Sequence, residues 1–280
     1  MKSESLTLVL VNLAGIMERA DESLLPGVYE EVGVDLHTDP TGLGSLTLFR
    51  SIVQSLCHPL AAYLAMCHNR AYVIALGAFL WAAATFLVAI STTFFQVAVS
   101  RGLNGIGLAI VIPAIQSLVV DSTDESNRGM AFGWLQLTTN LGAIIGGFFS
   151  VLLTSTSFMG IPGWRVTFHL ISIVSVMVGI LVRLFTNDLR FPNGDDCSRA
   201  KYQTQHKSFW LEMKDLIKEA KMVIKIPSFQ IIVAQGVFGT FPWSGLSFAP
   251  MWLELIGFSH KLTASLNTLF VIAGCFGSLF

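Results

Sequence analysis

The chain has 280 residues, of which 53% are hydrophobic and only 12% are charged, and its mean hydropathy is +0.65. Soluble domains carry about 25% charged residues, so this composition excludes an ordinary soluble fold and predicts an all-α integral membrane protein. The net charge of −1 gives no reason to expect a nucleic-acid partner, and the four cysteines have neither disulfide nor zinc-site spacing.

Eight long apolar stretches follow one another along the chain, and each approaches the roughly 20 residues that a spanning helix needs. An alternative for the first stretch is a secretory signal peptide, but no small-x-small cleavage site precedes Glu18. We therefore predict spans near residues 6–31, 42–66, 71–91, 95–120, 130–153, 166–187, 227–252 and 262–280.

The basic residues are sorted between the two sides of the membrane if the N-terminus lies in the cytoplasm. Only Arg165 and Lys261 then fall outside, while Arg19, Arg50 and Arg101 lie within spans. An excess of Lys and Arg in the cytoplasmic loops is typical of inserted proteins, so the sorting predicts a multi-pass protein with a cytoplasmic N-terminus. The other basic residues fall on or next to the cytoplasmic side: Lys2, Arg70, Arg128, Arg183, Arg190, Arg199, Lys201, Lys207, Lys214, Lys218, Lys221 and Lys225.

One polar segment, residues 188–226, separates the six spans of residues 1–187 from the two spans of residues 227–280. Its second part, from Phe209 to Val223, repeats apolar residues at the spacing of an amphipathic helix. Such a helix suits the inner leaflet, with its lysines toward anionic lipid head groups, and the bilayer is then its partner. Packing on the loops of the bundle itself is an equally good interpretation.

The first span contains four charged residues, Glu18, Arg19, Asp21 and Glu22. Each charge at a helix centre costs roughly 2.5–3.5 kcal/mol on insertion scales, so these side chains are not expected to face lipid. The three acids share one helix face because they are three and four residues apart. We predict that this face forms a site for a proton or a polar substrate. The alternative is that the helix ends near Met17 and leaves the charges in an outer loop.

Two other spans supply cations for these acids. Arg50 lies in the second span and Arg101 in the fourth, where Asn104, one turn further on, can share its partner. Arg101 also lies toward the outer end of its span, so its side chain could instead extend to the interface. Gly105 and Gly107 follow Arg101 by four and six residues.

The fifth span contains a second pattern of small residues. Gly142 and Gly146 are spaced as GxxxG, and Gly147 follows directly. Small residues at this spacing let two helix backbones approach closely, so the pattern predicts tight packing. A rocking contact between the two helices is the additional, functional interpretation.

These two patterns resemble motifs of the fourth and fifth helices of the major facilitator superfamily, with Ala143 in place of the usual proline. In that family the arginine at the position of Arg101 is linked to substrate or proton coupling. Of the family's gating signature between the second and third helices, this chain retains only Arg70. The resemblance therefore implies a cytoplasmic gate whose charge network is weaker or built differently.

Further stretches resemble the spinster-like branch of that family, chiefly its plant members. They are the pair Glu18-Arg19 in mid-helix and Pro242-Trp243 in the seventh span. Animal spinster proteins are associated with lipid export, which makes a lipid one candidate substrate and Trp243 a candidate contact. Leu108 occupies a position that is acidic in many of them, so proton coupling through that acid is not implied.

The resemblance implies two six-helix halves that move a small organic solute or lipid by alternating access, without catalysis, metal or cofactor. Because the second half stops at Phe280, inside its second span, we expect that four helices required for transport are missing. The predicted fold is thus the first half plus about two helices. The alternative function is a truncated, non-transporting regulatory half-transporter. An intramembrane enzyme would need paired catalytic groups at depth, which the later spans do not contain.

Overall fold

A computed structural model describes residues 2–154, 156–158, 160–186, 218 and 221–277. Nearly all described residues lie in helices, and a two-residue antiparallel hairpin, β1 (Ser157–Phe158) with β2 (Ile161–Pro162), connects two of them. The helices are α1 (Lys2–Leu24), α2 (Tyr29–Asp35), α3 (Pro40–Cys67), α4 (Arg70–Ile90), α5 (Phe94–Asp121), α6 (Arg128–Thr154), α7 (Gly163–Phe185), α8 (Pro227–Leu246), α9 (Ala249–Leu255) and α10 (His260–Gly277).

Two of the predicted spans are wrong at one end, and proline explains both errors. The first span was predicted to reach residue 31, but α1 ends at Leu24 and Pro26 opens a short 3-10 turn before α2. The seventh was predicted as one helix, but the chain turns after α8 and resumes as α9, with Pro250 as its second residue. Proline disfavours a helical conformation in the residue before it and donates no backbone hydrogen bond.

Polar residues set the starts of three helices. The side chain of Asp39 accepts a hydrogen bond from the Gly42 amide at 2.8 Å, and Asn69 accepts one from Ala71 at 3.0 Å. Thr93 caps α5 in the same way. Each of these side chains satisfies an amide that the helix itself leaves free, so the helix begins at that residue.

The helices pack as neighbours around an apolar core that includes Trp81. α5 contacts both α3 and α4 along its length, α4 also contacts α7, and α1 lies against α6 and α7. α10 packs on α6. On α7 the opposite face stays exposed and apolar, which suits contact with lipid. The residues of that face include Leu170, Ile173, Val174, Met177, Ile180, Leu181 and Leu184.

In the described part of the chain, five segments are long and apolar enough to cross a membrane. They are Arg70–Ile90, Phe94–Asp121, Glu125–Thr154, Gly163–Phe185 and Pro227–Leu255. α1 and α3 fall outside this set, and both contain charged residues that are buried in the bundle, namely Glu18 and Asp21 on α1 and Arg50 on α3.

Internal contacts divide the chain into two compact units. One comprises Met1–Gly194 with Pro250–Phe280, and the other comprises Asp195–Ala249. The helix contacts described above lie within the first unit, and α8 belongs to the second. The predicted boundaries at residues 187 and 226 remain predictions, and most of the predicted amphipathic helix lies outside the described residues.

Glycines allow α1 and α6 to touch. A Cβ atom at Gly142 would lie 2.2 Å from the carbonyl oxygen of Ile16, and one at Gly146 would lie 2.2 Å from that of Ala20. A Cβ at Gly147 would lie 3.2 Å from the side-chain amide nitrogen, Nδ2, of Asn267 on α10. Any larger residue at the first two positions would push the two backbones apart.

The motif on α5 serves two further contacts. A Cβ at Gly105 would lie 2.6 Å from the carbonyl oxygen of Arg50 on α3. A Cβ at Gly107 would lie 2.7 Å from the amide nitrogen of Trp81 on α4. These glycines therefore fix how closely α3 and α4 approach α5, and hence where the side chains of these three helices meet.

Candidate functional site

The charged residues of the first span lie in the last two turns of α1. The helix runs unbroken to Leu24, so the alternative that it ends near Met17 is wrong. Glu18 and Asp21 are buried, with relative exposures of 8% and 0%, whereas the side chain of Arg19 is 47% exposed. Two of the four predicted charges are thus held inside the bundle.

Asp21 forms the centre of a hydrogen-bond network that joins three helices. Thr85 of α4 donates its hydroxyl to one carboxylate oxygen, and Asn104 of α5 donates its amide to the other at 2.7 Å. The same amide lies 3.2 Å from the Thr85 hydroxyl. All three residues are buried, so the network is shielded from solvent and each bond is stronger than it would be in water.

Glu22 links the same helix to α3. It accepts hydrogen bonds from Arg19 within α1 and from Arg50 at 2.7 Å. The side chain of Arg50 is only 6% exposed, and two of its guanidinium nitrogens, Nε and Nη1, are buried without a described hydrogen-bond partner. These two nitrogens of Arg50 can therefore donate hydrogen bonds to a bound group.

Arg101 is buried at 2% exposure beside this network. Its electrostatic neighbours include Asp21 and Glu22, which attract it, and Arg50, which repels it. The alternative that its side chain extends to the membrane interface is therefore wrong. Its Nε atom is buried and makes no hydrogen bond in the described part of the chain.

The formal charges of this cluster sum to zero. It contains three acids and three arginines: Glu18, Asp21, Glu22, Arg19, Arg50 and Arg101. Glu18 differs from the other two acids because none of the described hydrogen bonds involves its carboxyl group. A buried carboxyl without donors and two arginines with unused donors form a group that can accept a proton or bind a polar or charged part of a ligand.

Sequence reasoning missed Thr85, and a single threonine in an apolar span gives no signal that would have identified it. Tyr29 was also not predicted as part of the site. Its hydroxyl lies 2.6 Å from that of Thr47 on α3, and its ring is buried within the electrostatic range of Arg101. Tyr29 is the first residue of α2, so it extends the polar group toward that helix.

Two predicted residues remain. Trp243 is in α8, and its side chain is not among the described ones. Arg70 begins α4, about 22 Å along that helix from Thr85 at 1.5 Å per residue. It is fully buried and donates to Asp121 at 2.6 Å and to the carbonyl oxygen of Ser117 at 2.9 Å. Although the loop signature is degenerate, Arg70 thus still ties α4 to α5.

The family is decided by a match that covers most of the chain. The family model described as Major Facilitator Superfamily matches residues 11–280. The chain belongs to the Major Facilitator Superfamily. It is thus an integral, multi-pass membrane protein, as the composition predicted.

Individual relatives agree with this family assignment. The chain is 20% identical over 258 residues to Protein spinster of Drosophila melanogaster, a match that covers 91% of this chain and 40% of that protein. It is 27% identical over 145 residues to Multidrug resistance protein 1 of Bacillus subtilis (strain 168), covering 52% of this chain and 37% of that protein. The similarity to spinster proteins that the motifs predicted is therefore found over nearly the whole chain.

Solved structures show the same fold. A bacterial homologue of the human lysosomal transporter Spinster, in an inward-facing and occupied conformation, matches with a TM-score of 0.78 at 18% identity, covering 99% of this chain and 60% of that one. A D-xylose–proton symporter matches with a TM-score of 0.70 at 12% identity, covering 96% and 66%. The chain spans about two fifths of the two curated relatives named above.

Proposed function

We propose that this protein is a secondary transporter that moves a small organic solute or lipid by alternating access, and that transport is coupled to protons. The observation that carries the proposal is the buried junction of α1, α4 and α5, where Asn104 and Thr85 bind Asp21. Buried charges in a membrane bundle are costly, and they persist where transport or binding uses them.

The relatives support transport as the activity and small organic molecules as the substrate class. Their names describe a multidrug resistance protein, a lysosomal transporter homologue and a D-xylose–proton symporter. The last of these couples its solute to protons. For the present chain, a lipid remains a candidate substrate because of its similarity to spinster proteins.

Within the cluster, we assign a separate role to each kind of group. Glu18 takes up and releases the proton because it is buried and none of the described residues donates a hydrogen bond to its carboxylate. Asp21 and Asn104 hold α1, α4 and α5 together. Arg50 and Arg101 have the donors with which a polar substrate group can hydrogen-bond.

Alternating access also requires two halves and a defined orientation. We propose that residues 1–187 form one half, that α8 to α10 begin the other, and that the N-terminus faces the cytoplasm. The lipid bilayer and the transported molecule are the proposed partners.

The experiment is flux in vesicles that contain the protein at its full natural length, tested with a panel of organic solutes and lysolipids at two pH values. Transport should depend on the pH gradient, and Glu18→Gln should abolish that dependence while the protein still folds and inserts. Asp124→Asn, which removes an exposed acid in the α5–α6 connection, is the matched control and should transport normally. Wild-type, gradient-driven flux from Glu18→Gln would remove Glu18 from the site.

A further inference from the structure

A second group of titratable residues lies at the end of the bundle where α2 is found, away from the buried cluster. It contains Glu30 and Glu31 on α2, Glu254 near the end of α9, and His260 at the start of α10. α2 belongs to the N-terminal half, while α9 and α10 follow the long polar segment. The group therefore connects parts of the chain that are far apart in sequence but lie in one compact unit.

The contacts within this group are close. The imidazole Nδ1 of His260 lies 2.7 Å from Oε1 of Glu254 and 3.8 Å from Oε1 of Glu31. The carboxyl group of Glu30 is also close enough to that of Glu254 to share a hydrogen bond with it. The Glu254 side chain is only 6% exposed, so water does little to screen it.

Such an arrangement needs protons. Two carboxylates have only acceptor oxygens, so a hydrogen bond between Glu30 and Glu254 requires a proton on one of them. The contact between His260 and two carboxylates is strongest when the imidazole is also protonated. With every group deprotonated, three negative charges would face one another around a neutral ring, and this would push α2 away from the turn between α9 and α10.

The charges that surround the group do not change this conclusion. In the described part of the chain, the electrostatic partners of Glu31, Glu254 and His260 are only one another and Glu30. Lys261, the next residue after His260, is exposed. None of these described partners is an arginine or lysine that could take the place of the missing protons.

We propose that Glu30, Glu31, Glu254 and His260 form a second proton-binding site, which holds α2 to the α9–α10 turn when protonated and releases it when deprotonated. The role of this site rests on the proposed alternating access: it closes this end of the pathway when the solution on that side is acidic. The proton dependence of the contact does not rest on that proposal.

The pKa of His260 supports the proposal that the contact is stable at low pH and lost at high pH. Burial works against the charged ring, but the hydrogen bond that the ring donates to Glu254 and the nearby carboxylates raise the pKa of His260 above its ordinary value. Because this pKa is higher in the closed contact than in the open one, the stabilisation is complete at low pH. It is lost as the pH rises above about 6.5, the ordinary value for histidine, and through the raised pKa.

The test is a distance measurement, which is independent of transport. Spin labels are attached at Val34→Cys on α2 and Lys261→Cys on α10, both exposed positions, in full-length protein in lipid nanodiscs with the native cysteines replaced by serine. The population of short distances should be large at about pH 5.5 and fall by about pH 8, on either side of the ordinary histidine pKa. The ratio of the short-distance population to the long-distance population should change by up to about tenfold per pH unit for each proton bound.

Two variants and one control decide the assignment. Glu254→Gln removes a charge and supplies an amide donor, so short distances should persist at both pH values. His260→Gln cannot become positive, so it should reduce the short-distance population at low pH. Asp35→Asn, which removes an acid of α2 that pairs instead with Arg165, should keep the wild-type response.

Either of two results would overturn the proposal: a distance distribution that ignores pH in the native protein, or full pH dependence in both Glu254→Gln and His260→Gln. A transporter that lacked coupling through Glu18 but showed the pH-dependent distance would refute only the proposed function. Loss of the distance change with intact coupled flux would refute only this second site.

Discussion

At the scale of single residues, Asp21 shows why a charge can be kept inside this membrane bundle. Two neutral donors on two other helices, Thr85 and Asn104, satisfy both of its oxygens, and Arg101 lies nearby. Removing a donor would leave a buried acceptor unsatisfied, which costs more than the net contribution of an ordinary hydrogen bond.

Asn104→Leu should therefore destabilise the protein by about 1–3 kcal/mol, because Asp21 loses a donor in a place that water does not reach. Thermal unfolding of the purified protein, followed by the fluorescence of its tryptophans, would measure the loss. The matched control is Gln136→Leu, since Gln136 is exposed and its amide bonds only to Asn140 one turn away. Equal unfolding temperatures for the two variants would mean that the network on Asp21 adds no stability.

At the scale of helices, the contact between α1 and α6 places the acids of α1 against the other helices. Gly142 and Gly146 leave no room for a side chain, since each would meet a carbonyl oxygen of α1 at 2.2 Å. Because backbone atoms cannot rotate away as a side chain does, the two helices would have to separate.

Gly146→Ala should accordingly destabilise the protein by about 1–3 kcal/mol through overpacking. Gly133→Ala is a control in the same helix: it is exposed, nothing lies within 4 Å of its would-be Cβ, and alanine favours a helix over glycine by about 1 kcal/mol. The two substitutions are therefore expected to shift the unfolding temperature in opposite directions. If Gly146→Ala also raised it, the helices would not be in close contact at this point.

The helices themselves were largely predictable from the sequence, because continuous apolar stretches can satisfy their backbone in lipid only as helices. α4 was predicted as 71–91 and is found at Arg70–Ile90. The errors lie at Pro26 and Pro250, where a long apolar stretch conceals a local break. Hydropathy averages over about 19 residues and does not detect a single residue that ends a helix.

The site was predictable only in part, for a different reason. Charges within an apolar span are conspicuous, so Glu18, Asp21, Arg50 and Arg101 could be selected from the sequence alone. Their partners depend on which helix faces meet, and that information is not local. Thr85 of α4 contacts Asp21 of α1 through the packing of several helices, which includes the close approach of α4 to α5 at Gly107.

At the scale of the whole molecule, the two polar groups lie at different depths. The buried cluster joins α1, α3, α4 and α5 inside the bundle, whereas the second group joins α2 to the α9–α10 turn at one end. Asp35 on α2 also pairs with Arg165 at the start of α7, at 2.9 Å, so this end contains the β1–β2 hairpin as well. The side of the membrane that this end faces decides which solution controls the second group.

The orientation can be tested at the two ends of α6. Asp124 precedes this helix and Ser157 follows it, and both residues are exposed, so a spanning α6 places them on opposite sides. The excess of basic residues predicts that Asp124 is cytoplasmic. In a protein with its native cysteines replaced by serine, an impermeant maleimide should therefore label Ser157→Cys in sealed, right-side-out vesicles. It should label Asp124→Cys only after the membrane is permeabilised.

Labelling of both positions from one side would show that α6 does not cross the membrane, and the reverse pattern would invert the whole bundle. The expected pattern places Glu31, Glu254 and His260 on the non-cytoplasmic side, because α2 and the hairpin share that end. Protons from the external or luminal solution would then bind the second group and close that end. With the reverse pattern, cytoplasmic pH would control the second group instead, and its role in the transport cycle would be opposite.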